Sequence, residues 1–423
     1  MSRTRPALEI VAIGDELLLG QTIDTNSAWL ARELAQHGIR VVRGTTTGDD
    51  ERAIRDAVGG ALERTGAVVC TGGLGPTRDD LTRPVVASMF GRALRIDDDV
   101  LAALEARFRR IGREMSPLNR CQAEVPEGAL VLPNANGTAP GLILTDDDDR
   151  FVVLLPGVPR EMRGLFEDHL LPWLLERWPE RDGPVCHRVI RTTGIAESKL
   201  AELLEPALAE LNGLGVAYLP SPSGVDVRLT SWGDRAPDAA ERDFDRIEGA
   251  VRSIAGRWIY TSGAVDIVDA VGDALRRRGW TVAAAESCTG GLIGKRLTDR
   301  AGSSDYMLGG IVAYANEVKV ESLGVPAALI AAHGAVSEPV AAAMARGAIE
   351  RLHADCAVAV TGIAGPGGGT ESKPVGTVCI AARTPDAERM TTIRSLGDRA
   401  EVRERASQAA LALLLDMLHG ESR

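Results

Sequence analysis

The chain has little that would point to a membrane, an oxidising compartment or a nucleic acid. No apolar run in its 423 residues approaches the roughly 20 that a membrane-spanning helix needs. The six cysteines are scattered without CxxC spacing, and residues 1–6 lead directly into a strand, so no signal peptide is visible. The net charge of −11 repels phosphate backbones and offers no basic stripe. We therefore expect a cytoplasmic protein with reduced cysteines and no membrane partner, and the charge argues against a nucleic-acid partner.

What the chain does have is the balance of an ordinary globular protein, with 45% hydrophobic and 25% charged residues. Its length is too great for one core, which predicts two or three domains. Short apolar segments alternate with amphipathic ones up to about Leu175 and again from Val265, a pattern typical of a mostly parallel sheet covered by helices on both faces. The predicted fold class is therefore α/β, with two doubly wound α/β domains at residues 1–178 and 263–423.

Residues 179–262 have a different rhythm and are predicted to form a small plait-like domain between the other two. Strand-like and helical segments follow in the order βαββαβ, which fits a split βαβ unit. Its first helix is indicated by a stripe of leucines at Leu200, Leu203, Leu204, Leu208 and Leu211. The segment lacks a GXXG loop and its second helix is acidic, so we predict a spacer or oligomerisation module rather than a nucleic-acid binder. A homodimer is the default expectation for a chain of this kind.

The densest motif of the first domain is TGGLGPTRDDLT at residues 71–82, directly after an apolar strand. Three glycines and a threonine in it allow close backbone approach to a ligand and add a hydroxyl donor: Gly72, Gly73, Gly75 and Thr77. Asp79 and Asp80 are expected at the entrance of the next helix, where carboxylates also serve simply to favour the helix dipole. Glycines, hydroxyls and paired carboxylates together favour a phosphate bound through a divalent metal, because Mg²⁺ prefers oxygen ligands.

Three further loops, in the segments 14–26, 134–141 and 155–162, repeat this chemistry after apolar residues. They offer polar groups and glycines at Asp15, Glu16, Asn26, Gly137 and Gly157. Loops that follow neighbouring strands of an open α/β sheet meet at one edge of the sheet. We therefore predict one substrate pocket lined by all four loops.

In combination these loops resemble the molybdopterin-binding-like domain of the CinA family, the competence/damage-inducible proteins, and the resemblance spans essentially the whole chain. It implies a metal-dependent ADP-ribose pyrophosphatase that forms AMP and ribose 5-phosphate with a divalent cation of the Mg²⁺, Mn²⁺ or Co²⁺ type. By motif position, Asp79 and Asp80 would contact the metal and the diphosphate, and Asp15, Glu16 and Asn26 would support them. Related molybdopterin enzymes use the same fold for another ligand. The alternative is a molybdopterin- or nucleotide-binding regulatory protein, linked to competence or DNA damage, without catalysis in this domain.

The run AAAESCTGG at residues 283–291 carries Ser287 where an apolar strand is expected to turn into a helix. Such a loop points side chains and free backbone N–H groups into one crevice, which is how nucleophiles and anion sites are built. Thr289 and Gly290 lie in the same loop, and the N–H groups of residues 289–291 are candidates to hold an oxyanion. Serine, threonine and glycine are also ordinary helix caps and turn residues, so this segment alone leaves both alternatives open.

Three companion motifs favour the catalytic alternative. They place a phenol, an amine, two loop residues and a guanidinium at strand or helix ends: Tyr314, Lys319, Thr361, Gly362 and Arg399. A desolvated lysine can take the proton of a serine hydroxyl, and a tyrosine between them can relay it. Arg399 and Thr361 suit a substrate phosphate. Together these residues predict amide hydrolysis through a covalent acyl-enzyme.

The third domain looks like the C-terminal CinA domain in the segments ESCTGG, GGIVAYANEVK, HGAVSEPV, TGIAGPGGG, KPVGTV and SLGDR. Characterised members of that family are nicotinamide mononucleotide deamidases, so the resemblance implies a metal-free serine amidase that forms nicotinate mononucleotide and ammonia. Ser287 would be the nucleophile, with Lys319 and Tyr314 in the base relay. The substrate site would include the other loop residues, Thr289, Gly290, Thr361, Gly362 and Arg399. Both domains together imply a bifunctional enzyme of pyridine-nucleotide salvage acting on small-molecule nucleotides.

Cys288 is a competing nucleophile in the same loop, because a thiolate attacks more readily than a hydroxyl. An apolar strand end disfavours the thiolate, so Ser287 is the favoured nucleophile.

Overall fold

The computed structural model of the chain describes residues 6–208 and 213–420. Leu211 of the predicted leucine stripe and the first five residues lie outside this described part. The chain divides into two compact units, one made of Met1–Cys186 with Trp232–Pro237 and the other of His187–Ser231 with Asp238–Arg423. Within the described residues, no helix is long and apolar enough to cross a membrane.

The first unit is built around one large sheet. Its strands are β1 (Ala7–Ile13), β2 (Arg40–Thr47), β3 (Ala67–Thr71), β4 (Leu94–Ile96), β5 (Glu124–Pro126), β6 (Leu130–Leu132), β7 (Gly141–Thr145) and β8 (Phe151–Leu155). Six of them form the sheet in the order β2-β1-β3-β8-β7-β6, and β4 pairs with β5 separately. The pairs β1–β2, β1–β3 and β3–β8 are parallel, whereas β7 runs antiparallel to β6 and β8.

Helices cover both faces of this sheet, as the alternation of segments predicts. They are α1 (Asp15–Leu18), α2 (Thr25–Gln36), α3 (Glu51–Thr65), α4 (Thr82–Met89), α5 (Asp98–Arg110), α6 (Pro159–Leu165) and α7 (Leu171–Arg177). Leu30 of α2 belongs to the core on one face, and Ile54 of α3 and Val86 of α4 belong to the core on the other. β3 and β8 are buried along their whole length, which explains why the sequences of these strands are almost continuously apolar.

The middle segment has the predicted βαββαβ order. It consists of β9 (Cys186–Thr192), α8 (Glu197–Leu208), β10 (Gly215–Ser221), β11 (Gly224–Ser231), α9 (Pro237–Ala255) and β12 (Ile259–Ser262). The four strands form one sheet in the order β10-β11-β9-β12. The long helix α9 is amphipathic: Phe244, Ile247 and Val251 are buried on its apolar face, while Asp245 and Glu248 pair with Arg188 of β9.

The last segment contains a five-stranded sheet in a second α/β arrangement. Its strands are β13 (Val282–Glu286), β14 (Met307–Val312), β15 (Cys356–Gly362), β16 (Thr377–Arg383) and β17 (Glu388–Arg394). Its helices are α10 (Ile267–Arg278), α11 (Leu292–Thr298), α12 (Asn316–Leu323), α13 (Ala327–His333), α14 (Glu338–Leu352) and α15 (Arg399–His419). The strand order is β14-β13-β15-β16-β17, with α10 and α15 packed on one face and α14 on the other. The α/β class predicted from the sequence is therefore confirmed.

One local feature of this sheet differs from simple strand and helix alternation. β14, β13 and β15 are parallel, but β16 and β17 follow each other directly and pair antiparallel. A short turn at residues 384–387 joins them, and the Thr384 amide donates to the Ala387 carbonyl oxygen across it. The carboxyl ends of β13, β14 and β15 still meet at one edge, which is where the serine loop lies.

Candidate functional site

The serine predicted as nucleophile lies in a tight turn between β13 and α11, here named the serine turn (residues 287–291). The amide of Ser287 still donates to the Val360 carbonyl oxygen of β15 over 2.9 Å, so the turn starts at the sheet edge. Gly290 and Gly291 have φ values of +58° and +91°, a left-handed conformation that residues with a Cβ disfavour. These glycines let the chain leave the sheet and enter α11 within one turn, and Ser287 keeps only 8% of its surface exposed.

Lys319 of α12 brings its side-chain amine to this serine. The Nζ atom lies 3.2 Å from Ser287 Oγ, 2.9 Å from the carbonyl oxygen of Ala313 and 3.2 Å from that of Tyr314. The side chain is only 2% exposed, and burial lowers the pKa of Lys319 from its ordinary value, against a smaller raising effect of Glu317 and the Cys288 sulfur. The neutral amine therefore forms at lower pH here than in an exposed lysine.

All three neighbours of Nζ can accept a hydrogen bond, and Nζ donates to the two carbonyl oxygens and to Ser287 Oγ. Once the lysine has lost a proton, two N–H groups still serve the carbonyl oxygens and the lone pair is free to accept the hydroxyl proton of Ser287. A charged ammonium would instead donate to the serine and leave it without a base. The pair thus has the geometry of a nucleophile with an adjacent general base.

Tyr314 is not placed as predicted. Its phenol is 59% exposed, and Arg399 donates to the phenol oxygen over 2.6 Å. Lys319 reaches Ser287 directly, and what Tyr314 offers to the lysine is its backbone carbonyl. The predicted proton relay through the phenol is therefore not what the structure shows, because no gap is left for a relay to span.

The remaining predicted residues lie near the serine turn, but not all are free to bind a ligand. Thr361, at the end of β15, donates its only hydroxyl proton to the Ala335 carbonyl oxygen over 2.9 Å, which contradicts donation to a phosphate. Gly362 makes room for Cys288, since a Cβ there would lie 3.0 Å from its Sγ. Arg399 donates to the Gly365 carbonyl oxygen as well as to the phenol, and it is exposed and able to meet an anion.

Cys288 is a poor competitor for the nucleophile's role. The residue is 5% exposed, and burial raises the pKa of its thiol to about 12. The thiol is therefore protonated near neutral pH, and a protonated thiol is not the reactive form. This agrees with the preference for Ser287.

Two residues that the sequence did not single out also hold the serine turn. The buried carboxylate of Glu286 accepts hydrogen bonds from the amides at the start of α11, including that of Gly291. Arg403 donates to the Thr289 carbonyl oxygen over 2.7 Å. A usable signal for Arg403 was its position four residues after Arg399, which puts both on one face of α15. The Gly290 and Gly291 amides, predicted as oxyanion donors, are both engaged within the protein.

A second candidate site is a cleft of about 630 Å³ in the first unit, here named the acidic cleft. The loops after β1, β2, β3 and β8 line it, which is the edge that the parallel strands predict. Its carboxylates are Glu16, Asp24, Asp49, Asp79, Asp80 and Glu161. Among the residues that the structure describes, no lysine or arginine lines this cleft.

Most of the residues predicted for the first domain lie in this cleft. The lining includes Glu16, Asn26, Gly72, Gly73, Gly75, Gly157, Asp79 and Asp80. Gly72 is held at φ +101° where a Cβ would meet the Ile13 carbonyl oxygen at 2.1 Å, so only glycine fits there. Asn26 is 8% exposed, and its Oδ1 has no hydrogen-bond partner, which leaves a buried acceptor available to a ligand.

Three predicted residues lie elsewhere. Asp15 exchanges hydrogen bonds with Asp49 at 3.0 and 3.2 Å, outside the lining. Thr77 donates its amide and its hydroxyl to Asp80 rather than facing the cleft. Gly137 lines a neighbouring cleft beside α5, although Thr138 and Ala139 of the same loop do line the acidic cleft.

The roles of the paired carboxylates also differ from the prediction. Asp80 precedes α4, which begins at Thr82, and its carboxylate accepts from Gly75 N at 2.7 Å and Thr77 N at 2.8 Å. The Asp80 carboxylate therefore organises the loop, and these bonds leave it little capacity to bind a metal. Asp79 is exposed, and its carboxylate takes no part in these loop bonds.

Asp49 is a second carboxylate of the acidic cleft, and its charge interacts with that of Asp79. Burial raises the pKa of the Asp49 carboxyl, and repulsion from Asp15, Glu16 and Asp79 raises it further, against one lowering hydrogen bond from the Asp15 amide. Such mutual repulsion is what a cation would relieve. Across residues 6–208 and 213–420 no group of three or more acidic, histidine or cysteine side chains is arranged to hold a metal by itself.

Family models match all three segments. A model described as the CinA C-terminal domain matches residues 265–418, one described as a probable molybdopterin binding domain matches residues 9–176, and one described as the damage-inducible protein CinA KH domain matches residues 187–261.

Relatives match along the full length. A CinA-like protein of Gemmatimonas aurantiaca is 52% identical over 406 residues, covering 96% of this chain and 94% of that protein. A CinA-like protein of Chlorobaculum tepidum is 45% identical over 415 residues, covering 96% and 97%. A crystal structure of the protein CinA from Thermoplasma acidophilum, described as of unknown function, is 37% identical with a TM-score of 0.37, covering 40% of this chain and 98% of that one. The chain belongs to the CinA family.

Proposed function

We propose that the site at the serine turn hydrolyses the carboxamide of nicotinamide mononucleotide to nicotinate mononucleotide and ammonia. The observation that carries the proposal is the 3.2 Å contact between the buried amine of Lys319 and Ser287 Oγ. A buried lysine beside a hydroxyl suits a general base, since burial lowers the pKa of Lys319 and so eases the loss of its proton. The choice of substrate rests on the family resemblance, and the exposed guanidinium of Arg399 suits the phosphate of a mononucleotide.

In the acylation half-reaction Lys319 takes the hydroxyl proton as Ser287 Oγ bonds to the carboxamide carbon. The carbonyl π electrons move onto oxygen and form a tetrahedral oxyanion. The oxyanion collapses, the C–N bond breaks, and the lysine returns its proton to the departing nitrogen, so ammonia leaves and an ester of Ser287 remains.

Deacylation repeats these steps with water. Lys319 takes a proton from a water molecule whose oxygen bonds to the ester carbon, and the lysine then returns the proton to Ser287 Oγ. The acid is released, and the lysine and serine regain their starting states. The reaction consumes one water for each amide cleaved and needs no metal or organic cofactor.

The test incubates the purified full-length protein with nicotinamide mononucleotide and measures ammonia and nicotinate mononucleotide. Ser287→Ala is expected to lose at least about 10³-fold in kcat, because it removes the nucleophile. Ser304→Ala is the matched control, since this serine is exposed and lies outside the serine turn. Product formation by Ser287→Ala at the wild-type rate would refute the assignment.

For the first unit we propose metal-dependent hydrolysis of ADP-ribose to AMP and ribose 5-phosphate in the acidic cleft. The observation in its favour is a cleft lined by six carboxylates and, in the described residues, by no lysine or arginine. A diphosphate is repelled by such a lining unless a divalent cation lies between the two sets of oxygens. A cation held by one or two carboxylates and by substrate phosphates also needs no preformed protein cage, which fits the donor set present.

Asp79 and Asp49 are the residues that would hold the cation, because Asp80 is engaged by its own loop. When bound, the cation would neutralise phosphate charge and polarise the diphosphate. The glycines of the cleft let the backbone approach the phosphates, and Asn26 Oδ1 offers a buried acceptor to a hydroxyl of the substrate.

The test adds ADP-ribose with Mg²⁺, Mn²⁺, Co²⁺ or EDTA and follows AMP. Turnover is expected with a cation and not with EDTA, while deamidation at the serine turn is expected to be unaffected by EDTA. Asp79→Asn is expected to lower turnover, and Asp148→Asn, an exposed carboxylate outside the cleft, serves as the control. Binding of ADP-ribose or a pterin without turnover would instead support the alternative of a non-catalytic binding protein.

The domain bounds at residues 178 and 262, the cytoplasmic location and the homodimer stay predictions. The molar mass of the purified protein by light scattering tests the last of these. Oligonucleotide binding that falls with salt would overturn the expectation that the middle segment is a spacer or oligomerisation module.

A further inference from the structure

Glu286, the last residue of β13, has a buried carboxylate aimed at the start of α11. Its Oε2 accepts from Gly291 N at 3.0 Å and Ile293 N at 3.1 Å, and its Oε1 accepts from Gly294 N at 2.8 Å. The residue is 2% exposed. A carboxylate this deeply buried is costly unless its oxygens are hydrogen-bonded, and here three backbone donors serve it.

These bonds occupy the N–H groups with which α11 would otherwise attract an anion. The start of this helix is thus filled by the protein's own carboxylate. It is closed to a substrate phosphate and to the oxyanion of the reaction. The amides that directly follow Ser287 in the serine turn are the remaining donors next to the nucleophile in the chain.

Arg403 of α15 holds the turn from the other side. Its Nη2 and Nε donate to the Thr289 carbonyl oxygen at 2.7 and 3.2 Å, and the amide of the same peptide unit, Gly290 N, donates to the Ser287 carbonyl oxygen. Both polar groups of this peptide unit are therefore fixed. Among the described residues, the amides of Cys288 and Thr289 donate to no backbone carbonyl, but Thr289 is fully buried whereas Cys288 keeps 5% of its surface exposed.

We propose that Glu286 and Arg403 are positioning residues, which hold the serine turn so that the amide of Cys288 faces the oxyanion formed at Ser287. The inference rests on the proposed amide hydrolysis. It replaces the amides of Gly290 and Gly291 as oxyanion donors, because those are already bonded. Neither positioning residue touches the substrate; each acts through the orientation of the turn.

The central test is Glu286→Gln, which keeps the shape of the side chain but replaces an acceptor oxygen by an NH₂ group facing a backbone donor. Misaligned oxyanion donors cost transition-state binding rather than substrate binding, so kcat is expected to fall by about 10- to 100-fold with KM changed by less than about twofold. The pH at which kcat is half-maximal is expected to stay in place, since Lys319 is untouched. A rise in KM as large as the fall in kcat would overturn the proposal.

Glu317→Gln separates positioning from a general effect of charge. Glu317 raises the pKa of Lys319, so its removal is expected to shift the rising limb of the pH profile to lower pH. Glu286→Gln is expected to leave that limb alone. If Glu286→Gln also moves the limb, the carboxylate acts by its charge and the positioning role is refuted.

Arg403→Lys tests the second clamp and covers the case in which Glu286→Gln fails to fold. Lysine keeps the charge but loses the two-pronged contact with the Thr289 carbonyl oxygen, so a fall in kcat of about tenfold at unchanged KM is expected. Asp299→Asn is the control, because Asp299 caps the far end of α11 and pairs with the exposed Lys295. Melting temperatures of all variants establish that each is folded, and wild-type kcat in Arg403→Lys would count against the proposal.

Labelling of Ser287 by an alkyl fluorophosphonate separates this inference from the choice of substrate. The serine displaces fluoride at phosphorus, and the phosphoryl oxygen occupies the place of the oxyanion. Slower labelling in Glu286→Gln and Arg403→Lys supports the positioning role even if nicotinamide mononucleotide is not cleaved. Unchanged labelling in both variants refutes the positioning role, whether or not the amide is hydrolysed.

Discussion

Arg399 donates a hydrogen bond to the phenol oxygen of Tyr314 over 2.6 Å, and this contact keeps the tyrosine out of the path between Lys319 and Ser287. The two residues lie 85 positions apart, on the last helix and just after β14. Together they form an exposed pair beside the serine turn, with the guanidinium also held by the Gly365 carbonyl oxygen. The tyrosine is therefore placed to orient the arginine that we propose binds the substrate phosphate.

Tyr314→Phe is expected to affect substrate binding more than chemistry. Removing the hydroxyl takes one partner from Arg399, which corresponds to about a 2- to 10-fold rise in KM for nicotinamide mononucleotide, while kcat stays within about twofold. Steady-state kinetics at saturating and limiting substrate distinguish the two effects. A large fall in kcat with unchanged KM would instead show that the Tyr314 phenol takes part in proton transfer.

Lys319 makes deamidation depend on pH with a definite sign. The neutral amine is the base, and its fraction rises as pH increases through the pKa, which burial places below the ordinary value of 10.5. The rate constant kcat/KM is therefore expected to rise with pH, about tenfold per unit, and to level off below pH 10.5.

Lys319→Arg is the matching variant, because a guanidinium keeps its proton at every accessible pH. We expect a loss of at least about 10²-fold in kcat across the whole profile. An arginine variant that retains activity would show that the proton is taken elsewhere.

The positions of the strand ends show which parts of the two sites are predictable from the sequence. Ser287 follows β13 and Thr361 lies at the end of β15. These strands pair in parallel with Glu286 opposite Val360, so the proximity of the two residues follows from the alternation of strands and helices. The same rule points to Asp49, which follows β2 at the edge shared with β1, although the pattern of residues around it gave no cause to select it.

The hydrogen-bond partners of individual side chains are not predictable from the order of strands and helices. Whether Thr361 donates to a ligand or to the Ala335 carbonyl oxygen depends on a rotamer and on a segment 26 residues away. Whether Glu286 belongs to the strand core or caps α11 depends on how sharply the turn bends. Such choices are made by tertiary contacts, and a motif records only that the residue types are present.

Cys288→Ser is expected to leave deamidation within about threefold of wild type. With burial raising its pKa to about 12, the thiolate fraction at pH 7 is about 10⁻⁵, so the thiol contributes no nucleophile. Iodoacetamide is correspondingly expected to inactivate slowly, and rapid inactivation that Cys288→Ser abolishes would assign the attack to sulfur.

Asp79 and Asp80, neighbours in sequence, are expected to respond in opposite ways to substitution by alanine. Asp80→Ala removes the acceptor for two amides and the Thr77 hydroxyl, so the loop loses about 1–3 kcal/mol of stability and the melting temperature of the first unit falls. Asp79→Ala removes an exposed carboxylate with no comparable anchoring role, so stability is expected to hold while ADP-ribose turnover falls and more cation is needed to restore it. Calorimetry and a Mg²⁺ titration of turnover, made on both variants, check the contrast. If Asp80→Ala keeps its melting temperature and shows the larger demand for Mg²⁺, then Asp80 is the metal ligand and the loop is held by other contacts.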